Sequence, residues 1–321
     1  MKRKSNLYKN ICKFENIENA FNEVCRNTKN KRKIAILKEY KSIYIARIHH
    51  ILENKSYAPG PVNIFTIYEP KARRIVSQNM QDKIVNHLVA RYILYPAILP
   101  CLLDINVASR EGLGTQEGLK LYKKFRRICD IKYKTYYILK CDISKFFASI
   151  DHDILKKKLK RKIKDKDSLK IIFDIIDSEK NGLGIGLMTN QALAIFYLHG
   201  LDIFIKETLK IKMFVRYQDD FLLFHPSKQY LQYCFQEIKA FLTKEKLTLN
   251  KKSRIYSNKD NFIFLGKNCY GNSSKYRVVR RKIKYRKRLY YKSKISLRSL
   301  VSSIICYKSH FPNMFPEKNL F

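Results

Sequence analysis

Two adjacent carboxylates stand inside Phe214-Val215-Arg216-Tyr217-Gln218-Asp219-Asp220-Phe221-Leu222-Leu223-Phe224, a polar knot between two short apolar runs. Carboxylates crowded together on an anchored strand repel one another and resist burial unless positive charge compensates them. A divalent cation is the usual compensation, and an oxygen-rich site suits Mg²⁺. A polar turn that merely happens to be acidic is the competing reading. A second carboxylate, Asp142, closes the apolar run Tyr136-Tyr137-Ile138-Leu139-Lys140-Cys141. Brought to the same end of one sheet, Asp142 and Asp219 could serve phosphoryl transfer. In that chemistry two ions about 3.5–4 Å apart stabilise the attacking and leaving oxygens of an in-line displacement. The protein mainly positions and neutralises, with no covalent intermediate required.

The elements that must present these groups are legible in outline. Apolar runs on both sides of the Tyr217–Asp220 tetrad read as a β-hairpin with the carboxylates at its tip. Helical spacing runs from about Ile17 to Asn54, and Tyr57-Ala58-Pro59-Gly60-Pro61 opens a turn. Val62–Ile67 reads as a strand, and the basic segment Glu69–Ile75 follows it. Asp82–Leu102 reads as helix, Ser109–Thr115 as a glycine-punctuated loop, and Leu119–Ile128 as helix. Leu155, Leu159 and Ile163, spaced by four among lysines, read as a solvated helix face. A glycine-rich loop spans Asn181–Gln191 and a helix Ala192–Leu209. The hairpin is then followed by a helix at Leu231–Thr243 and strands at Leu247–Leu249 and Asn261–Leu265. Lys275–Lys294 interleaves cations with Tyr276, Tyr285, Tyr290 and Tyr291 and contains no acidic residue, a composition suited to a nucleic-acid backbone. Leu297–Tyr307 reads as an amphipathic helix.

Charge points the same way. The chain carries 66 Lys+Arg against 27 Asp+Glu, a formal net charge of +39, which favours a polyanionic partner through counterion release. Ribosomal association or a Lys- and Asn-favouring genome gives the same sign, so charge alone does not define an enzyme. A 45% hydrophobic composition excludes a disordered basic tail. The eight cysteines are scattered without a C-x-x-C pair, predicting reduced thiols in a cytoplasmic protein rather than a zinc site or disulfide framework. Neither a signal peptide nor an uninterrupted bilayer-length apolar stretch is read, so no membrane partner is expected.

The order of motifs carries a family resemblance. Lys71-Ala72-Arg73-Arg74-Ile75 is followed by Ser109–Thr115, then by Asp142-Ile143-Ser144-Lys145-Phe146-Phe147-Ala148-Ser149-Ile150-Asp151-His152. Gly182–Gln191, Tyr217-Gln218-Asp219-Asp220, Leu249-Asn250-Lys251-Lys252-Ser253 and Phe264-Leu265-Gly266 complete the series. The chain resembles the prokaryotic reverse transcriptases of the group II intron and retron superfamily. Within them it is most similar to the enzymes of diversity-generating retroelements, through Asn6-Leu7-Tyr8, Phe14-Glu15-Asn16-Ile17 and the Thr-x-Gln ending of the glycine loop. It departs from the usual pattern at Gly184, Asn190 and Gln218.

The resemblance implies an α+β right-hand polymerase with fingers, a ferredoxin-like palm and a short helical thumb. Residues 1–130 would form the N-terminal region and fingers, 131–266 the palm with a fingers insertion at about 153–181, and 267–321 the basic thumb. It implies RNA-directed DNA synthesis with two Mg²⁺ ions, or Mn²⁺ in their place. Asp142, Asp219, Asp220 and the Ile143 carbonyl would be their ligands. Lys71, Arg73, Phe147, Ile185, Gly186 and Gln191 would contact the dNTP, with Phe147 as the steric gate against a ribose 2′-hydroxyl. Lys252 matches a general acid near the pyrophosphate, or else is a solvated lysine. Phe264, Leu265 and Gly266 match the primer grip. Phe146 is expected to be a core aromatic and Asp151 a helix N-cap. Template RNA and the RNA/DNA hybrid are the implied partners, with a basic accessory protein or non-coding RNA. An antiphage-defence reverse transcriptase and a catalytically silent RNA-binding scaffold are the alternatives.

Overall fold

The computed structural model describes residues 3–68, 72–269 and 275–310. The chain divides into two compact units, the first made of residues up to Asn63 with Val76–Asn258, the second of Ile64–Ile75 with the chain from Lys259 onward.

The first unit opens with helices α1 (Tyr8–Cys12), α2 (Phe14–Asn27), α3 (Lys31–Glu39) and α4 (Lys41–Glu53). Ile17, Phe21 and Val24 form the buried stripe of α2. Next, α5 (Met80–Leu88) continues through a π-helical turn at Val89–Leu94 into α6 (Tyr95–Ile98) and a 3₁₀ turn at Leu99–Cys101. These pieces join end to end, so Met80–Cys101 does reach the length and apolarity needed to cross a bilayer, contrary to the sequence expectation. Within this structure 56% of its most apolar window is buried, as in a core helix. Helix α7 (Thr115–Lys132) precedes the sheet.

The sheet is built from β3 (Tyr137–Asp142), β4 (Phe214–Tyr217), β5 (Asp220–His225) and β6 (Arg254–Ser257), numbered after a separate hairpin of β1 (Asn63–Ile67) and β2 (Arg73–Ser77). Its spatial order is β4-β5-β3-β6, with β5 and β6 both antiparallel to β3 and β4 antiparallel to β5. Helices α8 (Phe146–Ser149), α9 (His152–Lys160), α10 (Lys166–Asp177), α11 (Met188–Tyr197) and α12 (His199–Ile203) lie between β3 and β4. Helix α13 (Lys228–Lys244) lies between β5 and β6. This is the β-α-β-β-α-β connectivity of a ferredoxin-like unit. Residues alternate between the two faces of each strand. Leu139, Cys141, Phe221 and Leu223 turn to the core shared with Leu231, Cys234, Ile238 and Leu242 of α13. On the opposite face Phe224 packs against Tyr122 and Phe125 of α7.

Several expectations are corrected. Leu247–Leu249 contributes only an isolated bridge from Leu249 to Ile143; the strand beside β3 is Arg254–Ser257, which its polar, cationic composition conceals. The helix read as Ala192–Leu209 starts earlier, at Met188, breaks at Leu198 and ends in a π-helical turn at Phe204–Thr208. Leu155, Leu159 and Ile163 are fully buried, and Lys157, Lys160 and Arg161 among them face solvent. Asp151 caps α9 as expected, accepting from the Ile154 N–H at 2.9 Å. The cysteines are free thiols, most of them buried, and burial pushes Cys12, Cys129 and Cys234 up to about 11.

In the second unit, β7 (Ile263–Phe264) and β8 (Lys267–Asn268) form a short hairpin whose turn residues Leu265 and Gly266 have φ of 48° and 74°. Positive φ at both positions matches the twist of a two-residue hairpin, so the strand predicted through Leu265 stops at Phe264. Helix α14 (Lys275–Tyr291) packs against α15 (Leu297–His310), where the Arg286 guanidinium donates to the hydroxyls of Ser299 and Ser303.

Candidate active site

Strand pairing brings the predicted carboxylates together. Asp142 and Asp220 are register partners across β3 and β5, so their side chains leave the same face of the sheet. Asp219 occupies the two-residue turn with Gln218, and its carbonyl accepts from the Ile143 N–H at 3.2 Å. All three aspartates are half-buried. Two like charges directly opposite each other are unfavourable. The structure compensates them with Lys140, which lies two residues before Asp142 and on the same face, and whose ammonium is ion-paired to the Asp220 carboxylate.

The segment after α13 wraps Asp142. Asn250 Nδ2 donates to Asp142 Oδ2 at 2.9 Å, and the Asn250 N–H donates to the Asp142 carbonyl at 2.7 Å. The Ser253 hydroxyl accepts from the Asp142 N–H at 3.1 Å. Lys252 is exposed, and its N–H donates to Asn250 Oδ1 at 3.1 Å, closing a turn that turns its side chain out of the sheet's core. Asn250, Ser253 and Lys140 were not singled out from sequence. The period of two that puts Lys140 on the face of Asp142 is the one local signal that identifies any of them.

Among the described residues, no group of three or more His, Cys, Asp or Glu side chains gathers closely enough to hold a metal ion. Lys140 engages Asp220, and Asn250 engages Asp142. The donor chemistry nevertheless fits a hard divalent cation, because carboxylates and the neighbouring Ile143 carbonyl offer oxygen donors at adjacent strand ends.

A second cluster forms around the glycine loop. Phe146 is buried as expected, while Phe147 is half-buried and meets it edge-on, with ring centroids 5.7 Å apart. The Phe147 carbonyl accepts from the Leu183 N–H at 2.7 Å. The Ile185 carbonyl accepts from the Val76 N–H at 2.9 Å, and Gly186 is exposed with φ of 125°. Glu179 pins this loop, since its Oε1 accepts from the Gly184 N–H at 2.7 Å and from Asn190 Nδ2 at 2.8 Å. A proline at 184 lacks that N–H, and any Cβ there meets Val76 Cγ2 at 2.5 Å. Gly184 and Asn190, both departures from the usual pattern, thus share one partner, the Glu179 carboxylate. Gln191 is exposed on α11.

Other predicted residues belong to the second unit. Arg73 is exposed at the start of β2, and Phe264, Leu265 and Gly266 form the β7–β8 turn region, all in the second unit. Lys71 falls outside the described residues.

Residues 26–269 match the family model for reverse transcriptase (RNA-dependent DNA polymerase), well over half of the chain. The chain belongs to the reverse transcriptase family. It is an RNA-directed DNA polymerase, a nucleotidyltransferase with a polymerase palm-type fold, acting on an RNA template and dNTPs. Enzymes of this family use divalent metal ions. A comparison with curated proteins finds no match.

Gly182 offers a test of the loop. Its φ is +64°, and a Cβ would fall 2.5 Å from the Phe147 carbonyl oxygen and 2.6 Å from the Ala148 backbone. Gly182→Ala is expected to lose at least about 1–2 kcal/mol of stability from the left-handed conformation alone, measured by chemical denaturation.

Proposed function

We propose that this reverse transcriptase works by a two-metal mechanism centred on Asp142, Asp219 and Asp220, in a right-hand arrangement of fingers, palm and basic thumb. The observation that carries the reading is the register that sets Asp142 opposite Asp220, with the Asp219 carbonyl bonded to Ile143. Asp142, Asp219 and the Ile143 carbonyl would hold two Mg²⁺ ions, or Mn²⁺ in their place, with Asp220 as the third carboxylate. When bound, the ions supply Lewis acidity at the attacking and leaving oxygens.

The chain's own residues bind and orient. Lys71 and Arg73 grip the triphosphate, Arg73 by its planar fork and Lys71 as a point charge. Phe147 bars the 2′-hydroxyl of a ribonucleotide. Its half-buried ring, anchored through its carbonyl to Leu183 at the loop, supports that role. Ile185, Gly186 and Gln191 underlie the templating base pair, and Lys252 donates a proton to the departing pyrophosphate; its exposed position suits a group that meets a ligand. Phe264, Leu265 and Gly266 grip the primer. The basic, acid-free α14 follows the hybrid backbone.

The domain limits that accompany this reading are the N-terminal region and fingers over 1–130, the palm over 131–266 with a fingers insertion at about 153–181, and the basic thumb over 267–321. The motifs at Asn6–Tyr8, Phe14–Ile17 and Thr189-Asn190-Gln191 support a role in a diversity-generating retroelement, with error-prone copying and a basic accessory protein or non-coding RNA as partner.

Three substitutions test these assignments. Asp219→Asn should lower primer extension by about 10³-fold or more, the equivalent of several kcal/mol of transition-state stabilisation; activity near wild type in this variant rejects the metal assignment. Phe147→Ala should raise ribonucleotide incorporation relative to deoxynucleotide by at least about 10-fold while leaving deoxynucleotide use largely intact, as read from single-nucleotide extension. Ile185→Gln supplies a hydrogen-bonding group that an aliphatic side chain lacks and should lower the misincorporation frequency in a sequenced cDNA product; an unchanged error spectrum removes Ile185 from the fidelity argument.

A further inference from the structure

Arg216 stands two residues before the carboxylate turn, and its side chain is fully buried, as is that of its partner Asp202. Arg216 Nε donates to Asp202 Oδ1 at 2.6 Å, and Nη2 donates both to Asp202 Oδ2 and to the Ile195 carbonyl, the latter at 3.3 Å. The remaining arm is aimed at the hairpin, where Nη1 donates to the Gln218 carbonyl at 3.1 Å. The Arg216 backbone is fixed as well, its N–H donating to the Ile105 carbonyl at 3.0 Å and its carbonyl accepting from Val107 N–H at 3.2 Å. The segment that holds the backbone also supplies Ser109, whose hydroxyl accepts from Gln218 Nε2 at 2.7 Å.

Gln218 has φ of 55°, a left-handed conformation that disfavours a non-glycine residue and persists only where surroundings enforce it. Those surroundings are the Arg216 guanidinium on its carbonyl and Ser109 on its side chain. The Gln218 carbonyl belongs to the same peptide plane as the Asp219 N–H, so fixing one orients the other. Asp219 is then anchored from its far side by Ile143. A methionine or alanine at position 218 could not make the bond to Ser109.

We propose that Arg216, locked by Asp202, is a positioning residue that fixes the Gln218–Asp219 peptide and so aims the Asp219 carboxylate, with Ser109 as its auxiliary. The proposal rests on the metal-ligand reading of Asp219. A buried ion pair can be exchanged for hydrocarbon with little loss of stability. Hydrocarbon cannot donate to the Gln218 carbonyl. The structural and positioning roles of Arg216 are therefore separable.

The experiment uses the full chain and the double variant Asp202→Leu/Arg216→Met, because Arg216→Met alone strands a buried carboxylate. Melting temperature, dNTP kcat and KM in primer extension, and Mn²⁺ affinity by calorimetry on the protein without nucleic acid are measured together. Positioning predicts a melting temperature near wild type, an unchanged KM, a kcat lower by about 10²-fold, as expected for sub-ångström to ångström misplacement of a reacting group, and weakened Mn²⁺ binding. A folded double variant with wild-type kcat and Mn²⁺ affinity overturns it. Should the double variant not fold, Ser109→Ala decides, since it leaves the ion pair intact: a lowered kcat at unchanged melting temperature supports the proposal, and wild-type kcat overturns it. Asp219→Asn run in parallel separates the two levels. If that variant is active, the metal reading itself fails; if it is inactive beside a fully active, folded double variant, only the positioning role of Arg216 is lost.

Discussion

The register of β3 against β5 is the constraint on which the site depends. It places Asp142 and Asp220 directly across from each other, an arrangement that like charges oppose. The sheet tolerates it for two reasons. Leu139, Cys141, Phe221 and Leu223 are buried on one face of the same two strands and Ile138, Leu222 and Phe224 on the other, so a slip by one residue would exchange side chains fitted to two different packed faces. On the carboxylate face, Lys140 supplies a positive charge without any ligand. Apolar burial along both faces thus holds charged groups together at the strand ends.

Around that pairing the protein builds polar restraints of differing kind. Asn250 and Ser253 fix Asp142 through its carboxylate and its backbone, while Arg216 and Ser109 reach the opposite strand's turn at Gln218. The Arg216–Asp202 pair has no access to water, and burial pushes the Asp202 carboxyl above its ordinary value against the pull of the guanidinium. Such a pair gives little net stability but a fixed geometry. The glycine loop follows the same logic with a different anchor, the Glu179 carboxylate, which receives the Gly184 N–H and the Asn190 amide. These restraints fix where the carboxylates and the glycine loop sit.

Much of this was legible without coordinates. The hairpin around Asp219, the strand ending at Asp142, the core position of Phe146 and the cap at Asp151 all follow from apolar periodicity or local side-chain-to-backbone chemistry. Elsewhere local pattern and tertiary role diverge. Arg254–Ser257 looks too polar for a strand yet pairs with β3, because an edge strand can expose one face. Leu247–Leu249 looks like a strand and makes only a bridge. The helices after Met188 break at Leu198 although the sequence is evenly apolar there.

The sequence alone determined which residues can do chemistry and in what order they occur, since carboxylates at strand ends, a glycine loop and an acid-free basic helix are local properties of the chain. Only the tertiary structure decided which groups face them. Lys140 meets Asp220 across 80 residues, Asn250 meets Asp142 across 108, and Gln218 meets Ser109 across 109. Partners so distant are chosen by strand register and core packing, which depend on the whole fold, and apart from the period of two linking Lys140 to Asp142 they leave no spacing in the sequence to be read.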